Sequence, residues 1–88
     1  MLTIWKFPLD PHCPKVSMPT GAKVITAREQ LNSICVWAEV DQDEEGREDR
    51  HFDIFATGQN LSPEANRRFI GTAMLENGRL VFHVYERL

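Results

Sequence analysis

Between Ser33 and Val40, the apolar residues Ile34, Val36, Ala38 and Val40 alternate with Cys35, Trp37 and Glu39. A period of two puts each set on its own face of a β-strand. The same period recurs over His51–Ala56, where Phe52, Ile54 and Ala56 share a face. In Arg79–Glu86, Leu80, Phe82 and Val84 oppose Val81, His83 and Tyr85. Both faces of this last run are largely apolar, which predicts a central strand or one packed on both sides. Leu2–Phe7 is rich in β-formers and stops at Pro8, which has no N–H to give a ladder. Lys15–Met18 predicts a short edge strand stopped by Pro19. Residues 22–31 (AKVITAREQL) fit a helix, with Val24, Ala27, Arg28 and Leu31 on one side, or a strand. The β-branched run Val24-Ile25-Thr26 favours the strand, with a turn at Asn32-Ser33 after it.

Phe69–Leu75 and Arg79–Glu86 flank Asn77-Gly78, a pair that accepts the positive φ angles of a type I′ turn, and so predict a hairpin. Asp41–Arg50 contains no apolar residue and predicts a solvated loop or hairpin tip. Ser62 can cap, Pro63 suits the first helical position, and Glu64 favours the positive end of a helix dipole. They predict a short helix ending by Arg68. The expected fold is therefore α+β: a small antiparallel β-sheet of about five to seven strands with one short helix. Val36, Phe52, Ile54, Phe82 and Val84 are expected to share one core, and Trp5 and Trp37 to lie in it.

The 88 residues allow one domain, 1–88. A chain this short buries only roughly 60–65% of its unfolded surface, so its core is thin and a homodimer is expected. The net charge of -3 and pI of about 5.5 argue against direct nucleic-acid binding. No apolar run approaches the roughly 20 residues of a membrane span. With no signal-peptide pattern, the expectation is a cytoplasmic protein whose Cys13 and Cys35 are free thiols.

The acidic segment holds Asp41, Asp43, Glu44, Glu45, Glu48 and Asp49 against Arg47 and Arg50, which suits contact with a basic partner. Its opening imitates a calcium loop, but Phe52 stands where a bidentate Glu is needed. His12, His51, His83 and the cysteines lack zinc-ligand spacing, and no cofactor is expected. Thr57, Gly58, Gln59 and Asn60 precede the expected helix, with Arg67 and Arg68 nearby. Such a helix N-terminus can hold an anion. His83 and Tyr85 on one strand face form an acid–base pair.

A series of short motifs runs along nearly the whole chain. It comprises Ile4-Trp5-Lys6-Phe7-Pro8-Leu9, Met18-Pro19, Gly21-Ala22-Lys23, Val36-Trp37-Ala38, Val40-Asp41, Phe52, Ile54-Phe55, Thr57-Gly58, Phe69-Ile70-Gly71-Thr72 and Leu80-Val81-Phe82-His83-Val84-Tyr85-Glu86. In order and spacing these resemble a family of small uncharacterised phage and bacterial proteins, a domain of unknown function. The resemblance implies a phage or prophage origin, and hence the host-cell cytoplasm, and brings no activity with it. Ala56 and Gln59 flank Thr57-Gly58 where the family pattern has Gly and His, which argues against a catalytic histidine in that loop. The leading expectation is a non-enzymatic binding protein that occupies a host protein with a basic surface, such as a defence or nuclease component. The alternative is a small oligomeric domain capturing a nucleotide-like anion. A third reading is a small enzyme centred on His83.

Overall fold

The computed structural model describes residues 1–63 and 65–88. Its seven strands are β1 (Leu2–Pro8), β2 (Lys15–Pro19), β3 (Lys23–Gln30), β4 (Ser33–Asp41), β5 (Arg47–Ala56), β6 (Arg67–Leu75) and β7 (Leu80–Arg87). They form two antiparallel sheets, a three-stranded one ordered β1-β4-β3 and a four-stranded one ordered β2-β5-β7-β6. The smallest dimension, 19 Å, accommodates these two layers. Fold class is thus all-β: the expected single sheet is two sheets, and the expected helix is absent among the described residues.

Residues 57–66 connect β5 to β6. β5 and β6 run in the same direction with β7 between them. Residues 57–66 must therefore travel from beside Phe82, the partner of Ala56, back to Arg87, the partner of Arg67. Five residues of strand cover roughly 17 Å, and two interstrand steps add roughly 10 Å. Ten helical residues would reach only about 15 Å. Neither Ser62 nor Pro63 lies in a helix, and Glu64, the third cap signal, lies outside the described residues.

Residues 22–31 form strand β3, as the β-branched run favoured. The alternation of β4 places Ile34, Val36, Ala38 and Val40 in the core. Of the five expected core residues, Val36, Phe52 and Val84 are fully buried, and Ile54 and Phe82 pack against them half-buried. Neither tryptophan is buried: Trp5 lies on edge strand β1 and Trp37 on the outer face of β4. Cys13 is exposed, Cys35 is buried, and both are free. The acidic stretch is only partly a loop, because Arg47–Arg50 already belongs to β5 and pairs with β2. The expected β6–β7 hairpin forms, but its turn sits one residue earlier. Glu76 and Asn77 take φ of 53° and 57°, Gly78 N donates to Leu75 O at 3.0 Å, and Gly78 follows at 86°. Two positive φ values closed by that bond have the form of a type I′ turn.

Strands β3 and β6 bring the two sheets together along one side. A Cβ on Gly71 would lie 2.4 Å from the Ala27 carbonyl oxygen, so only glycine permits this approach. Gly71 follows a bulge in β6 that turns Ile70 into the core, where it is 8% exposed. Ions bind the sheets at the other end of the contact. Glu86 of β7 is 2% exposed and lies on the core face, in phase with Val84. Its Oε2 accepts from Arg50 Nε at 2.7 Å and its Oε1 from Arg68 Nη2 at 3.1 Å. Arg50 Nη1 reaches Ala22 O at 2.7 Å, and Arg68 Nη2 lies 3.4 Å from Val24 O. Both carbonyls belong to the chain entering or forming β3, so the carboxylate organises two cations that hold the opposite sheet.

Two stability outcomes follow from this contact. Gly71→Ala should lower unfolding free energy by about 3 kcal/mol, because backbone cannot yield as a side chain does. Glu86→Gln should cost about 3 kcal/mol by leaving two arginines without their counter-charge. Urea unfolding curves measure both, and losses below about 0.5 kcal/mol, the range of ordinary surface changes, would show that these contacts do not join the sheets.

Candidate functional site

The outer face of the four-stranded sheet gathers most of the side chains singled out from the sequence. Alternate residues of β7, namely Val81, His83 and Tyr85, point there because Phe82, Val84 and Glu86 point inward. β5 sets Phe55 opposite His83, and β6 sets Phe69 opposite Tyr85 and Thr72 opposite His83. The Tyr85 ring meets Phe55 at 5.8 Å and 71°, and Phe69 at 5.4 Å and 68°. These are edge-to-face contacts, in which the positive ring edge meets the negative ring face. The Arg67 guanidinium lies 5.3 Å from the Phe55 centroid and 5.5 Å from that of Tyr85. Its Nη2 also donates to Ser62 O at 2.7 Å, which straps the 57–66 connection to the face.

His83 sits beside this cluster. Its Nε2 is 2.8 Å from Thr57 Oγ1 and its Nδ1 is 3.1 Å from Thr72 Oγ1. A hydroxyl both donates and accepts, so either neutral tautomer and the imidazolium are all satisfied. The Thr57–His83–Thr72 chain has the reach of a hydroxyl–base–orienter relay. A neutral hydroxyl replaces the carboxylate that would stabilise an imidazolium, so activation of Thr57 is weak. The arrangement works first as a clasp that fixes the start of the connection. Leu61, Phe55, Thr57, Gln59, His83 and Tyr85 line most of a hollow of about 180 Å³ there. That volume takes one side chain or a small ion, whereas drug-sized ligands occupy roughly 300 Å³ or more.

The other predicted residues disperse. Arg68 faces the opposite side of the sheet and serves Glu86. Gln59 turns back, its Oε1 accepting from Ala56 N at 3.1 Å, and Asn60 is exposed. No helix follows Asn60 among the described residues, so the helix terminus on which anion capture depended is not formed by them. The six carboxylates of the acidic segment are all exposed, and most have a polar partner within the chain. Asp41 accepts from Asp43 N and from the Met1 amino group, each at 3.0 Å, and Asp43 also holds that amino group at 2.7 Å. The Asp43 amide and then the Met1 cation lower the Asp41 pKa, while Asp43 and Asp41 raise that of the amino group. Glu44 caps Gly46 N at 3.2 Å, Glu48 pairs with Arg50 at 3.1 Å, and Asp49 lies 4.0 Å from Lys15. Glu45 is exposed. No cluster of three or more metal-ligating side chains occurs among the described residues.

Sequence reasoning missed Phe55, Phe69 and Leu61. Phe69 and Tyr85 belong to strands whose pairing was foreseen, yet the bulge before Gly71 decides that they meet, and a glycine inside the strand pattern was its one signal.

Fold and face together define a small two-sheet all-β protein with an aromatic, arginine-bearing surface. The chain belongs to the DUF7352 family, a domain of unknown function, and the match spans residues 1–88. Neither the curated proteins nor the solved structures compared with the chain include a significant match.

Replacing His83 by Ala removes both hydroxyl contacts and should cost about 1–3 kcal/mol. Hydrogen exchange should quicken at Thr57 and Gln59, with the β3–β4 amides unchanged. Unaltered exchange at residues 57–59 would mean that His83 does not hold the connection.

Proposed function

We propose that the protein is a non-enzymatic binding module whose contact surface is the aromatic outer face of the four-stranded sheet. One observation carries this reading: Phe69 is 53% exposed while held edge-to-face against Tyr85 beside the stacked Arg67. Aromatic and arginine side chains that are already ordered lose little entropy on binding, and they dominate the energetics of protein interfaces. Met74, 59% exposed, and Leu61, 40% exposed, widen the apolar area, and the adjoining hollow accepts one inserted side chain. Arg67 and the Asp53–Arg87 pair give the face a mixed rim without a carboxylate cluster. The partner is a protein with an apolar patch and a neutral or acidic rim. The acidic segment, whose carboxylates are exposed but mostly have partners within the chain, contributes steering. The resemblance to phage and bacterial proteins supports the further reading that a phage-encoded chain occupies a host component in the host cytoplasm.

Affinity capture from a host lysate, followed by titration against the captured protein, tests this. Phe69→Ala and Arg67→Ala should each raise Kd roughly thirtyfold, the effect of a hot spot worth about 2 kcal/mol. Glu44→Gln with Glu45→Gln should change it less than threefold, in line with rim charges. The opposite pattern would return the contact to the acidic segment.

A further inference from the structure

We infer that β1 is a self-pairing edge through which two copies of the chain join into one six-stranded sheet. The two sheets have four edges, and three are closed. β3 and β6 pack against each other. β2 is short, ends in Pro19, which has no N–H to offer, and has several outward groups taken: Arg47 Nη2 donates to Ser17 O at 2.8 Å, Lys15 N donates to Cys13 O at 2.7 Å, and Pro19 O accepts from Ala22 N at 3.1 Å. β1 has no such protection along Leu2–Lys6.

The pairing pattern fixes which groups face outward. Met1 O accepts from Gln42 N and Leu9 N donates to Ile34 O, so odd-numbered residues of β1 bond to β4. The N–H and C=O groups of Leu2, Ile4 and Lys6 then point away from the sheet. Both faces of this edge are apolar, with Leu2 65%, Ile4 58% and Trp5 37% exposed. A long apolar edge of this kind is a template for another strand.

Register selects a second copy as the occupant. An antiparallel two-fold at Ile4 pairs Ile4 with itself and Leu2 with Lys6, and every outward N–H and C=O of those residues is used. A two-fold at Trp5 sets Leu2 against Pro8, which cannot donate. A two-fold at Lys6 places like charges together. The Ile4 axis also matches charge. Glu39 and Asp41 flank the Leu2 end of the outer face, opposite Ile4 and Leu2, and Lys6 lies at the other end. The axis brings the basic end of each copy beside the acidic end of its mate. The strip is narrow, so the dimer is concentration-dependent rather than obligate.

Sedimentation velocity over a wide concentration range should show the mass of the full chain doubling as concentration rises. In hydrogen exchange, the amides of Leu2, Ile4 and Lys6 should be open in dilute solution and protected in concentrated solution, with Thr3, Trp5 and Phe7 protected in both. Ile4→Pro should abolish dimerisation and keep the fold, since it deletes only an outward N–H. Lys6→Glu tests the same register without touching the backbone, and should weaken association roughly tenfold by placing like charges together. A monomer at every concentration, or dimers of Lys6→Glu as tight as those of the unaltered chain, would overturn the inference. So would concentration-dependent protection confined to other strands.

Discussion

The fold depends on a carboxylate buried where two sheets meet. Glu86 occupies a core position on the central strand of its sheet, and burial of an uncompensated charge there would cost several kcal/mol. Arg50 and Arg68 compensate it from the strands on either side of β7. Each arginine also reaches a carbonyl at the start of the β3 region, so the charge that had to be neutralised becomes the link between layers. A thin apolar core gives little directional preference for how two sheets register. Charged hydrogen bonds with fixed donor geometry supply it. The Gly71–Ala27 approach stands on the same relation, because backbones meet that closely only if the sheets are held at one angle.

The same constraint leaves the opposite face of the sheet free for other work. With Glu86, Val84 and Phe82 pointing inward, β7 presents His83 and Tyr85 outward, and the long connection from β5 to β6 has to pass over them. Arg67 begins β6 and fastens that connection, while its neighbour Arg68 serves the interior. Two adjacent arginines thus divide between binding surface and structural link, as the period of a strand requires.

Much of this was legible in the residues. Strict alternation in Ser33–Val40 gave both the strand and its buried face, and two apolar faces in the last run implied the central position that β7 takes. Glu86 itself carried an overlooked signal. It falls in phase with Leu80, Phe82 and Val84, as Arg50 does with Phe52 and Ile54, and a charge in phase with a core face demands a counter-charge. Other features depend on distance rather than pattern. The signals at Ser62 and Pro63 are sound local helix signals, yet neither residue is helical in a connection that runs from Ala56 to Arg67. The division into two sheets was hidden because strand alternation reads alike whichever sheet a strand joins. The aromatic cluster was hidden because it needs the register between strands as well as the strands.

The order of the four-stranded sheet governs the order in which the chain can assemble. β7 lies between β5 and β6 but follows both in sequence. Until residues 80–87 take their place, β5 has only β2 beside it and β6 has no strand within its sheet to pair with. The counter-charge for Arg50 and Arg68 is also missing until Glu86 is in place. The β3–β4 hairpin, whose partners are close in sequence, forms on its own schedule. The sheet that carries the aromatic face closes in one late step. Until then its apolar strands are open to misassociation.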